Sequence, residues 1–479
     1  MESRGLRRKV RADVVVVGAG ISGLTAALSA REAGAEVALL EKGDSIHFRG
    51  LHNAALSSRL QRRQGLSVDA ESVISTIMQF GDYRADQRIV NLWAANCSRV
   101  MDWLLDLADT ENVEVVVDPT TKPWYFPNYP TIHVFLPKWQ ETLAFMLFKK
   151  GKEMGVRYFF QTRAMRLLRK DRRVKGVLAE REGEAVQFEA KNGVILCTGD
   201  YGANRQMVES FCGSAISRLE RAYEPALNTG DGHLMAMELG AAIDDPPHAV
   251  MLFDFPHFKK KGLFNLARQP WMYVNLRGER FMNEDLPWGY ECNQILRQPG
   301  QTCFSLWDSK WDEEWPRMRS QCCKNMGPPT YLWNPNDLEE AIEKGHVIVA
   351  PTLKELAKRL AIPADRFLSQ VERYNVFARM GKDLDFGKHP ERLTTLERPP
   401  FFACRIEVRL MVTLGGLKID ERLQVLDTEG EAIPGLYAAG NVSGSFFGAV
   451  YPTTVPGLTH SRAWTFGWLA GRNAARAFP

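Results

Sequence analysis

Apolar residues occur along this chain in runs whose spacing alternates between the period of a strand and that of a helix. The first run, residues 13–17, is almost entirely valine and predicts a buried parallel strand. An alanine-rich amphipathic stretch from about 21 to 33 predicts a helix, which Gly34 ends. A second apolar run at 36–40 predicts another strand. This order and spacing indicate a βαβ unit.

Similar patterns continue to the end of the chain. The stretch 118–137 is rich in proline and aromatic residues and predicts a loop, because proline breaks helices. Elsewhere the same periodicities predict helices at 70–112, 138–154, 233–239, 353–380 and 458–475, and short strands at 113–117, 156–160, 164–168, 175–179, 271–275 and 435–439.

The amino-acid composition of the sequence changes twice. After residue 242 the chain becomes rich in Pro, Trp, Phe and Met, and charged amphipathic helices follow. After residue 403 the composition is again rich in glycine and apolar residues, as it is at the start of the chain. We therefore predict two domains: residues 1–242 and 404–479 together form a discontinuous α/β domain, and residues 243–403 form an inserted α+β domain.

Composition narrows the class of protein. The 479 residues include 61 basic and 57 acidic ones, a net charge of +4, so we expect no nucleic-acid partner. None of the eight cysteines forms a C-x-x-C pair, so attached haem, an iron–sulfur run and a zinc ribbon are not expected, and no metal is predicted. Scattered cysteines suit a reducing cytoplasm. With no secretory h-region and no apolar run of membrane-spanning length, we expect a cytoplasmic protein without a transmembrane segment.

Three glycines follow the first strand in the order G-x-G-x-x-G. Gly18 allows a tight turn, Gly20 lets backbone approach a pyrophosphate, and Gly23 lets the helix pack on the strand. The helix N-terminus offers free N–H groups to phosphates. Glu41, at the end of the second strand, is placed to accept ribose hydroxyls. A dinucleotide site follows; the alternative, a glycine-rich turn without a ligand, leaves Glu41 unexplained.

Later motifs resemble one superfamily of flavoproteins. VILCTGDYGAN, TGDGHLMAMELGA, IPGLYAAGN and FGWLAGRNAA, together with the opening glycine turn, are similar to the FAD-dependent fumarate reductase and 3-ketosteroid Δ1-dehydrogenase superfamily. LRGERFMNED and the helices at 353–380 resemble its capping domain, so the resemblance covers residues 12–475. It implies a Rossmann-like, glutathione reductase-type FAD-binding domain with an inserted capping domain that closes a substrate cleft.

The resemblance also implies which residues bind FAD. The last helix should direct its N-terminus at the flavin ring, where the helix dipole stabilises negative charge. His52 lies near the stretch where some members attach FAD covalently but is offset by one residue, so we expect non-covalent FAD. The cofactor contacts implied are Gly18, Gly20, Gly23, Glu41, Lys42, Ala164, Met165, Thr198, Gly199, Asp231, Gly440, Asn441, Pro456, Gly457 and Leu458.

Departures from fumarate reductases concern the substrate. Trp288 stands near the position of their proton-donating Arg, and Val412 stands where they carry a His. Their G-A-N-R carboxylate clamp is here Gly-Ala-Val-Tyr at 448–451. A dicarboxylate needs two or more cationic partners. We therefore expect a substrate other than fumarate or succinate.

Tyr451-Pro452 instead resembles the Tyr-Pro of ketosteroid dehydrogenases and several flavin-dependent ene-reductases, and Tyr290 lies in a segment similar to a Tyr-bearing cap segment of theirs. Two phenols suit an enone: one polarises its carbonyl, while the other exchanges a proton at carbon as hydride passes through flavin N5. Related ene-reductases carry an Arg where Arg462 stands. Tyr451, Tyr290 and Arg462 are therefore the predicted catalytic residues.

Five residues are candidates for the wall of the substrate pocket: Tyr125, Tyr129, His257, Trp288 and His460. For the first two the alternative is a proline-stiffened connector packed on the core. The combined reading is an FAD-dependent oxidoreductase for a C=C or CH–CH bond next to a carbonyl in an apolar, aromatic or steroid-like molecule. Reduction of the alkene is favoured. Ketosteroid-type desaturation and an electron-relay subunit are the alternatives. The partners expected are a small-molecule substrate and, as one option, a protein electron donor or acceptor.

Overall fold

The structure, a computed structural model, describes residues 8–118, 126–223, 227–257, 266–318 and 335–476. The chain divides into two compact units. The first is built from both ends of the chain, up to Met251 and from Val412 onward; the second is Leu252–Met411 with a short segment that ends at Asn128. Both junctions fall later than the predicted 242/243 and 403/404, because the strands Val250–Pro256 and Phe401–Thr413 run across them.

The first unit is organised on an eight-stranded sheet whose central strand is the opening valine run. That strand pairs in parallel with a neighbour on each side, Val14 lying opposite both Val37 and Gly193. The side chains of the run are buried on both faces, as a continuous apolar strand requires. The order across the sheet is Gln424–Leu426, Ala432–Ala438, Glu184–Leu196, Arg8–Val17, Val37–Leu40 and Arg157–Phe159; the hairpin Thr162–Lys170 and Arg173–Arg181 pairs with Glu184–Leu196.

A second, three-stranded antiparallel sheet lies in the same unit. It contains Asn53–Ala54, Val115–Val117 and Ile132–Phe135. The prediction of a loop over all of 118–137 was therefore wrong at its end. The four residues that form the strand contain no proline, so their N–H groups are available for pairing.

Most of the helices described in the first unit agree with the periodic segments of the sequence, but Arg59–Arg63, Arg205–Cys212 and Ser214–Ser217 were not predicted. Asp69 and Asp86 cap two of them by accepting N–H groups of the first turn. The helices are Ile21–Glu32, Arg59–Arg63, Ala70–Phe80, Gln87–Thr110, Gln140–Glu153, Arg205–Cys212, Ser214–Ser217, Asp231–Met237 and Leu458–Ala475.

Close packing of the last helix on the first one brings the two ends of the chain together. A Cβ added to Gly467 would lie 2.4 Å from the Ser22 carbonyl oxygen, and one added to Gly471 would lie 2.3 Å from that of Ala26. The Ser29 hydroxyl donates to the Trp468 carbonyl across the same contact, at 2.9 Å. Glycine at both positions therefore permits backbone approach that any side chain would prevent.

The second unit contains a five-stranded sheet and its own core. The strands are Val250–Pro256, Met272–Val274, Thr302–Asp308, Val347–Ala350 and Phe401–Thr413. Apolar side chains of these strands and of the helix Ala364–Met380, among them Leu306, Phe367 and Tyr374, form one buried cluster. The other helices are Trp288–Ile295, Trp311–Met318, Pro335–Glu343 and Leu353–Arg359, with 3₁₀ turns at Pro299–Gln301 and Pro390–Arg392.

Four buried charges hold the second unit together. The Arg280 guanidinium donates to Glu284 at 2.8 and 2.9 Å and to Asp383 at 2.9 and 2.7 Å. Lys388 Nζ lies 3.2 Å from the Glu284 carboxylate. Burial alone would raise the pKa of Asp383, but Arg280 holds it at about 2. Two residues of the LRGERFMNED motif thus have a structural role in this unit.

Among the helices described, none is both long enough and apolar enough to cross a membrane.

Candidate active site

The glycine turn after the first strand has the shape that a dinucleotide needs. Gly18 has φ +108°, and a Cβ there would lie 2.3 Å from the Cys197 carbonyl oxygen. A Cβ on Gly23 would lie 1.9 Å from the Gly18 carbonyl oxygen, so the helix packs directly on the turn. At Gly20 a Cβ would meet no atom within 4 Å. Backbone is therefore open to a ligand at the position where a pyrophosphate is expected.

Glu41 lies under this turn. Its two carboxylate oxygens accept the N–H groups of Ala19 and Gly43, each at 2.8 Å. Burial would raise the pKa of Glu41, but a hydrogen bond from His47 and the two N–H groups hold it below its ordinary value. Each carboxylate oxygen has further lone pairs, so the ionised group can also accept ribose hydroxyls.

The neighbouring predicted contacts form a polar edge around the start of the helix Asp231–Met237. Lys42 Nζ donates to the Thr229 hydroxyl at 2.7 Å and to Asp231 at 3.1 Å. Arg163 also contacts the Asp231 carboxylate, at 3.3 Å. Burial would raise the pKa of Asp231, but these cations keep it low. Lys42 and Asp231, predicted separately from the sequence, therefore meet.

The chain after the strand Glu184–Leu196 reaches the same region. Thr198 Oγ1 is buried and has no hydrogen-bond partner among the described residues. Gly199 has φ +76°. Of the two residues predicted to contact adenine, Ala164 is buried and Met165 is 45% exposed. A buried hydroxyl without a partner is unfavourable, so a ligand that bonds to Thr198 would satisfy it.

The N-terminus of the last helix is formed by predicted cofactor residues. Gly457 is its N-cap, with φ +86° and no side-chain cap. The carbonyl oxygens of Pro456 and Gly457 accept the Thr131 hydroxyl and the Ala54 N–H. Leu458 begins the helix. The Leu458 N–H donates to the Val455 carbonyl oxygen and the Thr459 N–H to the Tyr451 hydroxyl, both at 3.3 Å, so the first two N–H groups of the helix have acceptors within the protein.

Tyr451 lies beside this helix start. It is 3% exposed, and its hydroxyl oxygen accepts the Thr459 N–H at 3.3 Å. Its ring centre is 5.5 Å from that of Phe447. Tyr451 is therefore a buried phenol whose hydroxyl is held against the first turn of the last helix.

Arg462, one turn further along the helix, is fully buried. Its guanidinium donates to the carbonyl oxygens of Gly440 and Ser443, both at 3.1 Å, and to Asn441 Oδ1 at 2.8 Å. Burial lowers its pKa to about 10, so it is a cation at neutral pH. Three predicted residues, Gly440, Asn441 and Arg462, are thus brought together in one turn.

The predicted residues of the second unit lie in aromatic surroundings. Trp288 is 1% exposed, and its ring centre is 4.0 Å from that of Phe253. The buried Arg268 guanidinium lies over the Trp288 ring at 4.9 Å and is bonded to Asp254 at 2.5 Å. Trp288 is therefore a buried indole packed between an aromatic ring and a buried arginine.

Tyr290 follows on the same helix and is half-buried, with its ring 5.6 Å from Phe126. Burial raises its pKa, so the neutral phenol, a hydrogen-bond donor, is the form at neutral pH.

The other residues predicted to line the substrate pocket make hydrogen bonds or ring contacts with neighbouring residues. The Tyr129 hydroxyl contacts those of Ser72 and Thr76 at 2.6 and 2.8 Å, which ties the proline-rich segment to a helix. His460 Nδ1 bonds to the His52 carbonyl oxygen at 2.8 Å. The His257 ring lies 5.5 Å from that of His346. Tyr125 lies outside the described residues.

Taken together, these residues fit a dinucleotide: a glycine cradle open at one position, an ionised acid bonded to it, and a buried hydroxyl without a partner among the described residues. The class of protein is a Rossmann-like dinucleotide-binding protein. The model of the family described as FAD binding domain matches residues 13–454, and the chain belongs to that family.

Comparison with known proteins gives the chemistry. The vinyl phenol reductase of Lactiplantibacillus plantarum is 30% identical, over 97% of this chain and 96% of that protein. The 3-oxosteroid 1-dehydrogenase of Mycolicibacterium smegmatis is 31% identical, over 68% of this chain and 60% of that protein. A solved 3-ketosteroid Δ1-dehydrogenase from Sterolibacterium denitrificans has a TM-score of 0.77 at 19% identity, covering 98% of this chain and 100% of that one, which supports the fold alone.

The chain is therefore an FAD-dependent oxidoreductase that acts on CH–CH groups. The predicted superfamily, the Rossmann-like fold and the FAD cofactor are confirmed. Sequence reasoning missed one half-buried group of this region, Asp244, whose carboxylate accepts the N–H groups of Ser445 and Gly416. Two acids followed by two prolines give no motif, so no signal in the sequence points to it.

Proposed function

We propose that this protein reduces the carbon–carbon double bond of an apolar alkene that is conjugated to an aromatic ring or a carbonyl group. The observation that carries the proposal is the buried indole of Trp288 beside the Phe253 ring, near the position where the resemblance places the proton-donating Arg of fumarate reductases. The whole-length similarity to a vinyl phenol reductase supports an aromatic alkene as the substrate class.

Tyr451 is the proton donor in this proposal. When bound, FAD supplies the hydride that one alkene carbon accepts. The Tyr451 hydroxyl gives its proton to the other carbon, so the double bond becomes CH–CH, and the tyrosine recovers a proton from water. The Thr459 N–H and the helix start stabilise the phenolate that forms.

An anaerobic half-reaction tests the substrate class. The purified holoprotein is reduced with dithionite and mixed with 4-vinylphenol, an aromatic enone, an unsaturated 3-ketosteroid or fumarate, and reoxidation is followed in the visible flavin absorption. We expect an aromatic alkene to reoxidise the protein at least about 100-fold faster than fumarate. The carboxylates of fumarate would lack bonded partners in an apolar site, and an unpaired polar group costs at least that much selectivity. Fumarate as the fastest oxidant, or no reoxidation by any alkene, would refute the proposal.

Replacing Tyr451 by Phe tests the proton donor. We expect Y451F to lower the rate of reoxidation by the alkene about 100-fold, the usual contribution of a general acid, while ferricyanide, which needs no proton, reoxidises it at the wild-type rate. The matched control is Y158F, because the Tyr158 hydroxyl is buried like that of Tyr451. Unlike the Tyr451 hydroxyl, it has no hydrogen-bond partner among the described residues. Equal rates for Y451F and Y158F would exclude Tyr451 as the donor.

Desaturation of a 3-ketosteroid is the second candidate, favoured by the Tyr451-Pro452 pair and by the 3-oxosteroid 1-dehydrogenase relative. The same chemistry then runs in reverse. Bleaching of the oxidised protein by a saturated 3-ketosteroid, without reoxidation of the reduced protein by any alkene of the panel, would establish this candidate in place of the first.

A further inference from the structure

A buried arginine and a half-buried aspartate flank the turn Gly440–Ser445, which follows the strand Ala432–Ala438. Arg462 bonds to the turn at Gly440, Asn441 and Ser443. Asp244 bonds to its other end: one carboxylate oxygen accepts the Ser445 N–H at 2.9 Å, and the other accepts the Gly416 N–H at 3.1 Å. A side chain at position 444 would collide with Asp244, because a Cβ there would lie 2.3 Å from Oδ2. The two charges therefore fix the turn from both ends.

Arg462 is a buried cation whose hydrogen-bond acceptors among the described residues are all neutral. Two are backbone carbonyl oxygens and one is an amide oxygen, and no salt bridge reaches Arg462 within the described part of the chain. Its Nε–H is buried and has no partner among those residues. Rings of Phe446 and Phe447 lie 5.6 and 4.8 Å from its guanidinium carbon. Asp244, which interacts with it electrostatically, does not bond to it.

An arrangement of this kind is costly for stability alone. A buried charge that lacks a bonded counter-charge is less favourable than a well-packed apolar side chain of similar volume. Three neutral oxygens could be bonded by an uncharged donor at lower cost. The retained positive charge therefore fits a negative partner that the protein binds.

The bond to Asn441 also orients its amide. Because Arg462 occupies Oδ1, the two N–H donors of the Asn441 amide are directed away from the guanidinium. An Asn441 amide fixed in this way can act toward a ligand only as a hydrogen-bond donor. The oxygens and nitrogens of a flavin ring, which gain electron density when the flavin is reduced, are acceptors for such a donor.

We propose that Arg462 is a positioning residue for FAD: with Asp244 it holds the Gly440–Ser445 turn in its binding shape, and its charge stabilises the reduced cofactor. The charge acts through a low-dielectric interior, where screening is weak. Reduction adds negative charge to the flavin, so a nearby cation favours the reduced form over the oxidised form. This role concerns the cofactor and is independent of which alkene the protein reduces.

Three variants separate charge from shape. R462M removes the charge and the bonds, R462K keeps the charge but loses the planar fork, and D244N removes the opposing charge while its amide oxygen can still accept an N–H. The measurements are the FAD dissociation constant of the apoprotein and the flavin midpoint potential of the holoprotein, both at pH 8. Far-UV circular dichroism and thermal unfolding show that each variant folds.

We expect R462M to bind reduced FAD about tenfold more weakly relative to oxidised FAD, which lowers the two-electron midpoint potential by about 30 mV. R462K should keep the wild-type potential but bind FAD more weakly, because an ammonium cannot reach three oxygens in fork geometry. D244N should shift the potential upward. R472M is the matched control: it removes an arginine on the same helix, ten residues or about 15 Å further along, and should change neither quantity.

The proposal fails if R462M has the wild-type potential, or if R462K lowers the potential as much as R462M does, since the charge would then have no role. Should R462M not fold, D244N carries the test. A D244N potential at or below the wild-type value would overturn the proposal in that case.

Discussion

At the scale of single residues, one unusual group is His233, which lies two residues after the predicted cofactor contact Asp231 on the helix Asp231–Met237. It is fully buried, and neither ring nitrogen has a partner among the described residues. Burial lowers its pKa from 6.5 to about 3. Below pH 6.5 His233 is protonated in the unfolded chain, but in the folded chain it stays neutral down to about pH 3. The free energy of unfolding must therefore fall as the pH drops from 6.5 to 3.

Replacing His233 by Phe removes this proton and should flatten part of the pH dependence. At pH 5 the wild-type histidine costs about 2 kcal/mol, from 1.5 pH units at 1.36 kcal/mol each, and at pH 8 it costs almost nothing. Urea unfolding of the wild type and H233F at both pH values should show the difference in unfolding free energy growing by that amount toward pH 5. A pH-independent difference would mean that only packing had changed.

Individual site residues differ in how well the sequence predicts them. Gly18 and Glu41 were predictable because a tight turn and a ribose acid need particular residue types at fixed spacing. Asp244 was not, because its contacts depend on residues 416 and 445, far away in the chain. The ion pair between Arg280 and Asp383 was not predictable for the same reason, because the two residues are 103 positions apart in the chain. Long-range pairing leaves no local pattern to detect.

At the scale of elements, the contact between the first and last helices positions the predicted cofactor residues of both chain ends. Gly467→Ala would place a methyl group 2.4 Å from the Ser22 carbonyl oxygen, so the helices must separate. We expect a loss of about 1–3 kcal/mol, typical of overpacking, together with weaker FAD binding. Ala475→Val is the control in the half-buried last turn of the same helix. Thermal unfolding and FAD titration measure both effects, and unchanged FAD affinity in Gly467→Ala would show that the helix contact does not position the site.

Elements with strong local signals were predicted well. The last helix begins and ends at the predicted residues, Leu458 and Ala475, because Gly457 precedes it and apolar periodicity continues throughout. The first strand begins earlier than predicted, at Arg8, since its charged first half pairs at Arg8–Ala12 with a long strand that begins at Glu184. Ile132–Phe135 was missed because tertiary pairing outweighed the surrounding prolines.

At the scale of the whole molecule, the predicted cofactor contacts come from five distant stretches of the chain: 18–42, 164–165, 198–199, 231 and 440–458. All of them belong to the first unit. A ligand that binds the folded state alone stabilises it by RT ln(1 + [L]/Kd), about 2.7 kcal/mol at a concentration 100 times Kd. FAD should therefore link both ends of the chain energetically, although more than 400 residues separate Gly18 from Gly440 and Leu458.

Hydrogen exchange of the apoprotein and holoprotein can measure this linkage. We expect FAD to slow exchange in the strand Arg8–Val17, the helix Ile21–Glu32 and the start of the helix Leu458–Ala475 together, by up to about 100-fold where exchange requires global opening of the first unit. Strands of the second unit such as Thr302–Asp308 serve as the internal control, because none of the predicted FAD contacts lies in that unit. Protection confined to the N-terminal segment would contradict a cofactor domain assembled from both ends, since binding to residues 18–42 alone would leave the last helix free to exchange as in the apoprotein.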